Sequence, residues 1–456
     1  MNPAQNKLGT MPIAPLLIKM SVPMMISMLV QALYNVVDSM FVARISENAL
    51  TAVSLAYPIQ MVMGAIAVGT GVGTNAFVSR SLGKKDIESA EKAADAQVFL
   101  SLMYALIFMI VGFFAVRPFF AAQTDIKEII EFGNEYLSIV CIFGFGSFFC
   151  QNFEKLLIAI GKSTESMISQ ASGAVFNILF DWLLIFGIGP FPEMGIKGAA
   201  VATVLGQILS AALALSFLLK GKSEIDFKLK LKLPDISIVK NIYAVGIPSM
   251  LTIGLSSAMS FSMNQILLTF STTATAVFGV WLKLQSFAFM PVFGMNNGTI
   301  AIFSYNYGAG NIDRIKKTLR LALCLGFAVT FVIGTLYEII PATLLAMFDA
   351  SENMLSMGIS AIRLFSISLP FGAISIILSS SFQSLGKSKF TLFVNLCRQL
   401  LILLPSAWLL SLSRNLSLVW FAPLIAECAT MLITLLLNKK MSALLREKFS
   451  SCSKTA

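Results

Sequence analysis

The 456-residue chain contains no histidine. That removes His-dependent acid–base chemistry and the imidazole ligands on which zinc sites usually rely. Charge is scarce as well. Asp, Glu, Lys and Arg together make up 12% of the residues, against about 25% in an ordinary soluble domain. Six cysteines, at positions 141, 150, 324, 397, 428 and 452, are scattered without a disulfide framework or metal-ligand spacing, and read as small core residues. No small-residue cleavage site follows the first apolar stretch, so no cleavable signal is expected. Two Gly-Lys-Ser tripeptides, at 161–163 and 386–388, lack the glycine five residues earlier that a phosphate loop requires; Leu156 and Ser381 stand there. The Tyr-Asp and Gly-x-Gly-Asp motifs of an intramembrane aspartyl protease are missing too. Neither an enzyme nor a bound cofactor is expected.

What the chain has in quantity is apolar length. Hydrophobic residues reach 57% and mean hydropathy is +0.82. Stretches of about 20 apolar residues, enough to cross a hydrocarbon layer of roughly 30 Å as helix, recur at 15–42, 52–79, 96–116, 134–156, 166–187, 197–219, 243–268, 277–303, 319–337, 354–380, 391–410 and 417–437. These runs are continuous. Barrel strands would alternate, so helix is the only spanning structure that fits. The expected class is an all-α polytopic membrane protein with twelve transmembrane helices.

The twelve fall into two copies of one pattern, displaced by 225 residues. Pro23 returns as Pro248, Met25 as Met250, Gln60 as Gln285 and Gly69 as Gly294. Gly73-Thr74, Ser79 and Gly83 return as Gly298-Thr299, Ser304 and Gly308. Two parallel six-helix repeats follow, because an even number of spans brings each half back to its starting side. The expected organisation is an N-terminal bundle at 10–219, a cytoplasmic linker at 220–240, a C-terminal bundle at 241–440 and a cytoplasmic tail at 441–456. Substrate sites in repeat-built transporters tend to lie where the repeats meet.

Orientation follows from the basic residues. With the N-terminus inside, 25 of the 33 lysines and arginines fall in inward segments and five in outward ones, Arg44, Arg117, Lys127, Lys197 and Arg414. This positive-inside bias puts both termini in the cytoplasm. It also accounts for the net charge of +10 without a nucleic-acid partner. The basic linker suits anionic lipid.

Polar groups inside spans are costly and are therefore the first candidates for function. Asp38, in Tyr34-Asn-Val-Val-Asp38, and Asp181, in Asn177-Ile-Leu-Phe-Asp181, each precede the outer end of their span by a similar number of residues. Both sit roughly 10 Å below the outer face at 1.5 Å per residue. Tyr34 and Asn177 lie one turn earlier on the same faces. Shielding a carboxyl from water disfavours its charged form, so such a group can take up a proton near neutral pH. The phenol and carboxamide can bond either state or help ligate a small cation. A helix cap or cross-link is the alternative reading. At the repeat offset the two acids become Met263 and Ser406. A scaffold role would be expected in both copies, whereas coupling needs only one. Weaker candidates for a substrate cleft are Gln60, Gln285, Lys283 and Arg363. Glu427 lies mid-span in the twelfth helix.

These residues together resemble the multidrug and toxic compound extrusion (MATE) transporters: Pro23 and Asp38 in the first span, Gly73 with Ser79-Arg-Ser-Leu-Gly83 closing the second, and Asn177 with Asp181 in the fifth. The resemblance covers about residues 10–440. It implies a V-shaped pair of bundles and an antiporter exporting cationic or amphiphilic compounds by alternating access against inward proton or sodium flow. It also implies that Asp38, Asp181, Tyr34 and Asn177 form the coupling-ion site. The sodium-type branch carries acids in its seventh and tenth helices; here those spans have none, which favours protons. A monomer in the cell membrane is expected. A lipid-linked precursor flippase of the same superfamily would share the fold, but Lys283 and Arg363 are a thin supply of charge for a pyrophosphate.

Overall fold

The computed structural model describes residues 6–220, 227, 233–348 and 350–454, with the side chains of 442 and of 444 onward excluded. Within them every regular element is helical. Ten helices are long and apolar enough to cross a membrane singly, and two bent pairs bring the number of spans to twelve. In chain order they are α1 (Ile13–Ala43), α2 (Glu47–Gly83), α3 (Ile87–Phe114), α4 (Lys127–Ile142 with Phe145–Ala159), α5 (Ser163–Phe186) and α6 (Ile196–Lys220). Then follow α7 (Ile236–Leu268), α8 (Thr272–Gly308), α9 (Ile312–Ile339), α10 (Glu352–Ser366 with Leu369–Ser384), α11 (Ser388–Ser411) and α12 (Ala422–Lys454). Each expected span falls on one of these. The 220–240 linker lies mostly outside the described residues.

The 225-residue repeat is written into the backbone. Helix α8 starts and stops 225 residues after α2, and α9 does the same relative to α3. Ser46 and Ser271 cap α2 and α8 by accepting from the N–H of Ala49 and Ala274. Asp86 and Asn311 cap α3 and α9 in the same way. Such side chains satisfy N–H groups that the first turn leaves without partners. The bent pairs α4 and α10 are repeat partners, turning by 48° and 43°. Lys85 and Gly310 take φ of 62° and 72° at equivalent turns; only the glycine does so without steric cost. Helix α11 also starts and stops 225 residues after α5, but its residues Cys397–Leu403 form a π-helical turn that α5 does not have.

The chain divides into two compact units, Met1–Thr10 with Ile26–Gly246, and Met11–Met25 with Ile247–Ala456. The beginning of α7 therefore belongs to the first unit and the beginning of α1 to the second. Glycines make both possible. In the first unit Gly73 lies against the Ile242 carbonyl, and a Cβ on Gly246 would stand 3.0 Å from the Gly69 carbonyl oxygen. The second unit repeats the arrangement: a Cβ on Gly294 would meet the Met25 nitrogen at 2.6 Å, and one on Gly298 the Met20 carbonyl oxygen at 3.0 Å. Arg314 fastens the start of α1 there by donating to the Met11 carbonyl at 2.8 Å. Pro23 and Pro248 sit close to the two division points, where the missing N–H weakens the helix. The first unit's core packs Phe108, Phe120, Phe148 and Tyr136 among alanines and aliphatic side chains.

Candidate functional site

Asp38 and Asp181 each stand five residues before the end of their helix, on α1 and α5. Both belong to the first unit, and both are buried, at 9% and 0% exposure. Their carboxyl groups are hydrogen-bonded to one another. Two carboxyls can share such a bond only when one supplies a proton. The second oxygen of each, Oδ1, finds no hydrogen-bond partner among the described residues.

The expected companions are present. Asn177 is buried. With its amide oriented to satisfy both neighbours, it donates to Asp181 Oδ2 at 3.1 Å and accepts from the Thr203 N–H at 3.1 Å. This cross-link depends on close approach of α5 and α6. A Cβ on Gly173 would stand 2.6 Å from the Gly206 carbonyl oxygen, and one on Gly206 would stand 3.0 Å from Asn177 Cβ. Tyr34, half-buried on α1, interacts electrostatically with both aspartates. Tyr136, from the first segment of α4, interacts with Asp38, Tyr34 and Asp181 and accepts a hydrogen bond from Gln60 at 3.2 Å. Gln60, singled out as a cleft residue, thus reaches the carboxyl pair through Tyr136.

A cavity opens beside this cluster. Tyr34, Asn177 and Thr203 line one part of it, and Cys150, Glu154 and Ser210 another. Glu154 is 6% exposed. It accepts from the Ser210 hydroxyl at 3.0 Å and from the Cys150 thiol at 3.2 Å. Sequence reasoning passed over Glu154, Tyr136 and Thr203. An acid within the 134–156 span was a usable signal for Glu154; nothing distinguishes one threonine or tyrosine from others before the helices are packed.

The remaining candidates lie in the second unit and do not converge. Lys283 places its ammonium 5.4 Å from the Phe348 ring centroid. Arg363 lines an open cavity with Glu338, Ser360 and Trp420. Gln285 lines a separate one with Arg398 and Glu427. At the positions equivalent to the two aspartates, Met263 is fully buried and Ser406 partly so. Among the described residues no three His, Cys, Asp or Glu side chains are grouped so as to hold a metal ion.

The MatE family model matches the chain twice, over residues 23–183 and 248–409, the second match beginning one repeat after the first. The "Multidrug export protein MepA" of Staphylococcus haemolyticus (strain JCSC1435) is 24% identical over 412 residues, covering 89% of each chain. Among solved structures, the "Outward-facing conformation of a multidrug resistance MATE family transporter of the MOP superfamily" superposes with a TM-score of 0.88 at 25% identity, over 95% of this chain and 96% of that one. Another, a MOP superfamily transporter from Pyrococcus furiosus Vc1 (DSM3638), gives 0.90 at 25% identity, over 98% and 100%; its description reads that "reverse polarity of binding pocket suggests different function". Two family matches in repeat register, on a fold of twelve membrane helices, place this chain in the MatE family of membrane transporters.

Proposed function

We propose that this protein is a proton-coupled antiporter that exports cationic or amphiphilic compounds by alternating access, with Asp38 and Asp181 as its proton-binding pair and Tyr34 and Asn177 as their partners. The observation that carries this reading is the hydrogen bond between two buried carboxyls in the first repeat only. Such a pair holds one proton readily and resists carrying two negative charges. An arriving proton lowers its negative charge and weakens its hold on a cation. Loss of that charge also alters the bond to Asn177 and the electrostatic contact with Tyr34, and α1 can respond at Pro23, where the helix lacks a backbone N–H. Deprotonation toward the cytoplasm restores affinity. The names of the relatives, multidrug export and multidrug resistance, support drug export as the activity.

In this reading the repeats at 10–219 and 241–440 are the two working halves, both termini and the 220–240 linker face the cytoplasm, and the protein acts as a monomer in the cell membrane. Sodium coupling has less support, since α7 and α10 carry no acid between 243 and 303 or between 354 and 380. The test is transport of a fluorescent aromatic cation into reconstituted vesicles, with proton and sodium gradients imposed separately. A proton gradient alone should drive it. Export driven only by sodium would overturn the coupling assignment, and transport of acidic dyes with ethidium-like cations ignored would overturn the substrate class.

A further inference from the structure

A small cavity in the second unit is lined by Trp281, Gln285, Met259, Arg398, Gln399 and Glu427 among others. It is separate from the aspartate pair, which belongs to the first unit. Glu427, on α12, is 4% exposed. Its Oε1 lies 3.7 Å from Arg398 Nε, and its Oε2 has no hydrogen-bond partner among the described residues. Gln399, also 4% exposed, donates through Nε2 to the Ser256 hydroxyl at 3.2 Å. The Ser256 hydroxyl donates to the Thr252 carbonyl at 3.4 Å and so faces the amide as an acceptor, and Gln399 Oε1 likewise has no partner among the described residues. Two buried acceptors in one cavity are thus under-bonded, and the carboxylate's one neutralising neighbour stands beyond hydrogen-bonding distance.

The surroundings are built around the carboxylate. A Cβ on Gly372 of α10 would come within 3.1 Å of Glu427 Oε2, so glycine leaves the room that this oxygen occupies. Arg398 and Gln399 both sit on the π-helical turn of α11, a geometry often found at functional sites. Arg398 keeps 19% of its side chain exposed. Trp281, fully buried, supplies an aromatic wall.

We propose that this cavity is a second binding site, for an aromatic cation carrying at least two N–H donors, an amidinium, a guanidinium or a protonated primary amine. The ligand's charge replaces that of Arg398 beside Glu427, and its N–H groups fill Glu427 Oε2 and Gln399 Oε1. Arg398 holds the carboxylate when no ligand is bound. A quaternary ammonium offers charge but no N–H, and leaves both acceptors unfilled. Charge and donors together define the class, because a charge-assisted hydrogen bond contributes about twice as much as a neutral one.

The probes are benzamidine and, as its donor-free counterpart, benzyltrimethylammonium. Each is titrated calorimetrically into the full-length protein in lipid nanodiscs, with and without Asp38→Asn and Asp181→Asn. Benzamidine should bind in both backgrounds, and at least about tenfold more tightly than the quaternary ion, the difference expected for lost charge-assisted bonds. Glu427→Gln should weaken benzamidine by about tenfold or more. Met259→Trp leaves both ionic partners in place but fills the cavity, and should abolish binding whether or not the Glu427 variant folds. Unchanged affinity in Met259→Trp, equal affinity for the two probes, or binding that disappears with the aspartates alone would each overturn the proposal. So would the absence of binding to the unsubstituted protein.

Discussion

The carboxyl groups of Asp38 and Asp181 are hydrogen-bonded to each other although 143 residues separate them along the chain. Nothing local holds them together. Helix α1 brings one and α5 the other, and Asn177 ties Asp181 to α6 through the Thr203 N–H. Replacing either acid by its amide keeps shape and hydrogen-bonding capacity but removes the exchangeable proton. The Asp38→Asn, Asp181→Asn double variant should insert and fold, with proton-driven export falling to that of empty vesicles. Met263→Ala and Ser406→Ala, at the equivalent positions of the second repeat, should leave export measurable. Near-normal export by the double variant would end the mechanism.

The same cluster makes a stability prediction. Asn177→Ala leaves the buried Asp181 without its amide donor and should cost about 1–3 kcal/mol, the usual penalty for orphaning a buried polar group. Thermal unfolding in detergent would read it. A substitution that left the midpoint unchanged would contradict the reoriented amide and its bond to Asp181.

Glycines on one helix should differ sharply in tolerance. A Cβ on Gly73 would collide with the Ile242 carbonyl of α7, whereas a Cβ on Gly64 meets nothing within 4 Å. Gly73→Ala should therefore destabilise by about 1–3 kcal/mol through overpacking. Gly64→Ala should stay within about 1 kcal/mol of the parent and can even stabilise the helix. Equal effects in an unfolding assay would mean that the start of α7 does not pack where described.

The equivalent caps of α3 and α9 predict a difference in pH response. The Ser89 hydroxyl and N–H hold the Asp86 carboxyl below its ordinary value. Its contribution is therefore complete above the unfolded value, about 3.9, and is lost as pH falls through the lower folded value. Asn311, capping α9 through the Arg314 N–H, does not titrate. Asp86→Asn should preserve the cap, worth about 1 kcal/mol, and flatten that acid-side loss. Local hydrogen exchange at the start of α3, measured against pH, would show whether it does.

Orientation can be checked without any structure. A cysteine at Ser223, in a background lacking the six native cysteines, should resist an impermeant thiol reagent in intact cells and react once they are permeabilised. Labelling of intact cells would reverse the assignment of sides.

The sequence alone determined the helical class, the twelve spans, the 225-residue repeat and the two acids most worth attention. All of these rest on local or periodic information: apolar length against bilayer thickness, and the register of Gly, Pro and Ser. The caps at Ser46, Ser271, Asp86 and Asn311 are local too, each acting within three residues of itself, but they were seen only in the structure. The tertiary structure alone decided which helix faces meet. That Gly69 and Gly73 receive α7, and Gly294 and Gly298 receive α1, depends on contacts between residues far apart in sequence. The same holds for Tyr136 with Gln60, Glu154 with Ser210 and Arg398 with Glu427. A single polar residue in a span advertises its cost to the sequence reader. Its partner is chosen by packing, and packing is a property of the whole fold.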